Sequence, residues 1–152
     1  MTPITTLPPD GRILLVGWPD ALADSVGQPV RSDYVETYWL GILGPTASWL
    51  LRRCSDELLD SPRGAHVHLP DMARGLGLSF RPDRQTPFSR GFDRLAMFGL
   101  IRHVANHPVP TFAVRTHVPP LSLRHLSRLP ENLRAAHDRL VEHGVGMVSV
   151  RA

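Results

Sequence analysis

Residues 86–115 constrain the fold more tightly than any other stretch of the chain. Thr86 and Pro87 offer a helix cap followed by a first-turn proline, and Gly99 stands where that helix would stop. Phe88, Phe92 and Leu95 recur at the spacing of one helical face and predict a buried stripe. Two strand-like runs follow, 100–104 and 111–115, separated by the turn residues Asn106, His107 and Pro108. A capped helix that runs straight into a hairpin cannot bury its own stripe, so the rest of the chain must supply the cover.

The upstream sequence offers that cover. Ser32 or Asp33 opens a helix to Leu43 whose apolar residues, from Tyr34 and Val35 to Ile42 and Leu43, run almost all round. Such a helix must be buried on more than one side. Gly44-Pro45 breaks it and starts a second helix to about Leu59, with Ala47, Leu50, Leu51, Cys54 and Leu58 on one face. Next come a brief alternating strand at 65–69, a short helix between Pro70-Asp71 and Gly77, and a loop to Gln85 rich in Arg, Pro and Asp. After the hairpin, Pro119-Pro120 introduces a basic segment at 121–128 and a final helix from about Glu131 to His143. The expected organisation is an N-terminal arm, 1–31, largely irregular with one strand, then a domain over 32–143. A tail, 144–152, has strand character and is read as able to pair with the arm.

At 152 residues, 42 % hydrophobic and 20 % charged, the chain fits one soluble domain with a real core. Its single cysteine, Cys54, excludes an intramolecular disulfide and a Cys-rich zinc site. The apolar run from Ile13 to Trp18 is too short to span a bilayer or to serve as a secretory signal. A cytoplasmic location without membrane contact is the expectation. The basic side chains are all arginine, a preference that GC-rich codon usage explains. Their distribution is a separate matter: residues 1–60 carry four arginines against eight acids, and 61–152 carry thirteen against six. Such asymmetry suggests a polyanion-binding face beside a part that does not bind.

The order helix, helix, short strand, helix, loop, helix, hairpin is that of a winged helix-turn-helix domain. Residues 69–78 resemble the first helix of such a unit, and 95–102 resemble the end of a recognition helix entering the wing. The chain as a whole resembles winged helix-turn-helix proteins of actinobacterial type, with a MarR-like layout. That resemblance implies a mainly α fold with a small β-hairpin wing, flanked by additional helices. It also implies a DNA-binding protein, a transcriptional regulator.

The helix face opposite the stripe presents Thr86, Ser89, Arg90, Asp93, Arg94 and Met97. Thr86, Ser89, Arg90 and Arg94 are therefore expected to face the bases, since arginine can pair bidentately with guanine. Arg74, Arg81, Arg84, Arg102 and Arg115 are the expected phosphate contacts, with His103 and His107 nearer the wing tip. The apolar helices at 33–59, with the helix at 131–143, suit a homodimer interface. Two features depart from the pattern: the connection at 77–85 is longer than a helix-turn-helix turn, and Gly91 interrupts the recognition helix. They leave room for a winged helix that binds protein, or a ribosome- or RNA-associated factor.

His66 and His68 alternate on a strand, but no cysteine or carboxylate joins them in sequence, so neither a metal nor another cofactor is expected. The sequence has no Gly-rich phosphate loop, no paired-carboxylate motif and no Gly-x-Ser-x-Gly. An enzyme is not expected, and Cys54, on the apolar face of its helix, reads as core.

Overall fold

The computed structural model describes residues 7–143. The N-terminal region supplies β1, Arg12–Gly17, in which Ile13 and Leu15 point into the core while Leu14 and Val16 point the other way. Asp20 then caps α1, Ala21–Val26, by accepting from the N–H groups of Leu22 and Ala23. A two-residue strand follows, β2, Gln28–Pro29.

The helix expected from 33 to 43 contains a π-helical turn, Val35–Trp39, that runs directly into α2, Leu40–Leu43. Tyr34, Val35, Tyr38, Trp39, Ile42 and Leu43 are all buried, as an apolar circumference requires. Gly44, at φ +84°, ends it, a backbone conformation that glycine adopts without strain. Pro45 opens α3, Pro45–Asp60.

The remaining elements are β3 (Ala65–His68), α4 (Leu69–Gly75), α5 (Pro87–Met97), β4 (Ile101–Ala105), β5 (Thr111–Val114), β6 (His117–Val118), α6 (Leu123–Leu126) and α7 (Glu131–Glu142). The core lies between the sheet and α3 and α5. Phe88, Phe92 and Leu95 are fully buried against Leu50, Leu51, Phe112 and Val114. Each such side chain removed from water contributes about 1.5–3 kcal/mol. Gly91 sits where α5 crosses α3: a Cβ there would meet the side chains of Thr46 at 3.3 Å and Leu50 at 3.4 Å. Close packing is the reason for a glycine inside this helix. His137 attaches α7, its ring packed edge-on to Tyr38 and its Nε2 2.7 Å from the Tyr34 hydroxyl.

The sheet corrects the expectation of a mainly α chain with a small hairpin wing. The hairpin β4–β5 is one half of a four-stranded mixed sheet ordered β3-β1-β5-β4. β1 pairs antiparallel with β3 (Ile13↔Val67) and parallel with β5 (Leu15↔Phe112). The run from Ile13 to Val16 shows strand character in the sequence, but its partners lie far along the chain, and periodicity says nothing about pairing. β2 and β6 form a separate two-stranded ladder. The strand read at 144–152 lies outside the described residues, and the arm strand it was to join already has a neighbour on each edge.

Candidate nucleic-acid interface

α5 begins with a capping box. The Ser89 N–H donates to Thr86 Oγ1 at 3.2 Å, and the Thr86 N–H donates to Ser89 Oγ at 2.8 Å. The Ser89 hydroxyl proton is directed to the Thr86 carbonyl at 3.1 Å. Both hydroxyls that the sequence placed before the bases are thus engaged in starting the helix. Asp93, from the same expected face, is buried and accepts from Gln85 Nε2 at 3.3 Å.

The arginines divide into held and exposed groups. Arg94 Nη2 donates to the Ile42 carbonyl at 3.3 Å, placing a cation at the C-terminal end of α2. Arg115 is the most restrained: its side chain is 15 % exposed, with Nε donating to the Gly99 carbonyl at 2.8 Å and Nη1 to Asp20 at 2.7 Å. The Arg115 guanidinium in turn holds the Asp20 carboxyl below the usual carboxylate range. Arg74 and Arg90 are exposed. Arg81 and Arg84 flank Asp83 at 3.5 and 3.7 Å on the exposed loop before α5.

Arg102, exposed on β4, lies over the indole of Trp18 with its guanidinium carbon 4.4 Å from the ring centroid. Arg115 lies over the same indole at 4.0 Å. Sequence reading missed Trp18, whose only signal was an aromatic following a strand. At the hairpin His103 stacks on Phe112 at 4.8 Å, while His107 is exposed in the turn. Arg74, Arg81, Arg84 and Arg90 are thus all exposed on the segment from α4 to α5, whereas Arg102 and Arg115 lie over Trp18 at the base of the hairpin.

No family model matches the chain, and no curated protein does. Among solved structures it resembles the crystal structure of primosome protein DnaB, residues 1–300, from Geobacillus stearothermophilus. The TM-score is 0.51 at 18 % identity, and the match covers 96 % of this chain and 53 % of that one. The likeness is one of fold. This chain spans about half the length of its neighbour. The order α3, β3, α4, α5, β4, β5 is compatible with a winged-helix-like domain whose sheet is larger than a hairpin. Among the described residues no helix is long and apolar enough to cross a membrane, and no three His, Cys, Asp or Glu side chains group as a metal would need.

Proposed function

We propose that this chain is a DNA-binding domain that holds its partner chiefly through backbone phosphates, using Arg74, Arg81, Arg84 and Arg90. One observation carries the reading. From residue 74 to residue 90 the chain presents four exposed arginines, and the single acid among them, Asp83, already lies between two of them. Exposed guanidinium groups on two helices and the loop that joins them suit phosphate, and the release of counterions makes such binding salt-dependent. Base readout is weaker in this reading than a recognition helix would give, because Thr86, Ser89 and Arg94 have partners within the fold. The neighbour in fold is a primosome protein, which agrees with work on DNA.

The finer form of the proposal is a cytoplasmic transcriptional regulator of MarR-like kind that acts as a homodimer. The apolar residues Tyr34, Tyr38, Trp39 and Ile42 are buried within the chain, so an interface on the helices at 33–59 and 131–143 would use side chains left exposed there, such as Trp49, 46 % exposed on α3, and Val141, 49 % exposed on α7. We propose a binding domain rather than an enzyme; Cys54 is core and not a nucleophile, its thiol fully buried and pushed up to about 12 by desolvation.

The test is fluorescence anisotropy against a random DNA duplex across a salt series. A log-log slope worth several counterions is expected. Replacing Arg81, Arg84 and Arg90 with alanine should lower that slope by about one for each phosphate no longer held. A flat, weak response from the intact chain refutes the proposal and turns the search to protein partners.

A further inference from the structure

We propose that the cavity between α3 and the π-helical turn binds a small aliphatic α-amino acid, about the size of alanine. The site stands apart from the proposed function and uses none of its arginines.

Three observations converge on this cavity, which measures about 80 Å³. The first is a pair of polar atoms. Ser48 and Arg52 lie one turn apart on α3, so their side chains share a face, and both line the cavity. Ser48 Oγ and Arg52 Nε are buried, and neither has a hydrogen-bond partner among the described residues. Buried donors are costly to leave unsatisfied, so two at one cavity call for a ligand that accepts. The Arg52 guanidinium carbon lies 4.7 Å from the Trp49 ring centroid. Asp56, the next acid on this side of α3, is already bridged to Arg31 at 3.1 Å.

The second observation is the facing backbone. The Leu40 N–H donates to the Val35 carbonyl, five residues back, in the turn that brings Val35 and Glu36 to the cavity wall. Such π-helical turns interrupt a regular helix and recur at functional sites. The third is the arrangement of charge. Among the described residues neither Arg52 nor Glu36 has a salt-bridge partner. Arg52 offers its buried Nε inside, whereas Glu36 is exposed. Between them the walls are aliphatic, formed by the buried Val30, Val35, Leu43 and Leu51. The lining side chains most open to solvent are Glu36, Leu40 and Trp49, so the entrance lies among them.

The ligand class follows from these groups. A carboxylate can accept from Arg52 Nε and Ser48 Oγ, but a carboxylate alone would also meet Glu36. An ammonium suits Glu36, but alone it would meet Arg52. A zwitterion answers both and enters with no net charge, and its side chain then falls on the aliphatic walls. Volume limits that side chain. One water takes about 30 Å³ of the liquid, so the cavity has room for roughly three, which suits alanine and excludes leucine.

Thermal unfolding of the intact chain tests the site with L-alanine, D-alanine, L-leucine, propionate and ethylamine at one common concentration. At about ten times its Kd, L-alanine should raise the midpoint by about 3–6 °C. The other four should move it by less than about 1 °C. Arg52→Met should abolish the rise. Glu36→Gln should weaken L-alanine several-fold and bring propionate level with it. Glu36 is exposed, so this variant keeps the test decisive should Arg52→Met fail to fold by circular dichroism. An equal rise from both enantiomers marks a solvent effect and overturns the site. A flat response to all five leaves the cavity to water and overturns it too, and a rise with propionate alone overturns the zwitterion.

Discussion

Removing the Tyr34 hydroxyl, as Tyr34→Phe, should cost far more than one hydrogen bond. That oxygen accepts from the Leu121 N–H at 3.0 Å and lies 2.7 Å from His137 Nε2. The hydroxyl oxygen serves both partners, donating to an unprotonated Nε2 or accepting from a protonated one according to the imidazole tautomer. Tyr34 and His137 are both buried, His137 at 2 % exposure. Phenylalanine would leave the amide and the imidazole nitrogen without partners. At about 1–3 kcal/mol for each of the two unsatisfied buried groups, the expected loss is about 2–6 kcal/mol. That is a large fraction of the stability of a domain this size, about 5–15 kcal/mol.

Urea unfolding followed by tryptophan fluorescence measures it directly. A double-mutant cycle with His137→Leu should show the pair costing less than the sum of the singles, since the second change removes one orphan. The same site predicts a pH dependence. Burial holds the His137 imidazole below its ordinary range, so the unfolded chain takes up this proton before the folded one does. Its contribution is fully present above about pH 6.5 and is lost as pH falls toward and through the folded-state value. His125 is shifted in the same direction, first by burial and then by Arg128 and Arg124, so His125→Gln is the control. A loss below about 0.5 kcal/mol for Tyr34→Phe would refute the network. So would equal steepness below about pH 6.5 in His137→Leu and the intact chain.

Three further outcomes follow from described contacts. Arg94→Ala should lower stability by about 1 kcal/mol, read as a shift in urea midpoint, because it removes the donor to the Ile42 carbonyl. A purely solvent-facing Arg94 would leave the midpoint unmoved. Gly91→Val should destabilise by about 1–3 kcal/mol in thermal unfolding, since Thr46 and Leu50 leave no room for a branched side chain. Cys54 should resist a thiol reagent in the native chain and react fully in denaturant, and rapid native labelling would contradict its burial.

α5 was legible almost to the residue, because its signals are local: a cap, a first-turn proline, an aromatic stripe and a stop glycine. The same locality misled the reading of Thr86 and Ser89. Both hydroxyls fall on the outward side of a helical wheel, which does not show that the helix start uses them. Arg115 shows the opposite failure. Its partner Asp20 lies 95 residues away, and no spacing rule connects the two. The buried circumference of the helix at 33–43 followed from composition alone. The insertion of β1 between β3 and β5 did not, because an apolar strand announces that it will be buried without announcing beside which neighbour.

That insertion also sets an order of assembly. β1 is made before every other described strand, yet its parallel partner begins at Thr111. Parallel pairing over such a distance is slow, because the loop must close before the ladder repays it. During synthesis β1 can meet β3 early, as an antiparallel pair with one edge open. The sheet can be completed only after the hairpin has emerged. Until then the edge awaiting Thr111 to Val114 is a template for any extended segment, so the nascent chain is most exposed to misassociation at a strand that finally has a neighbour on each side.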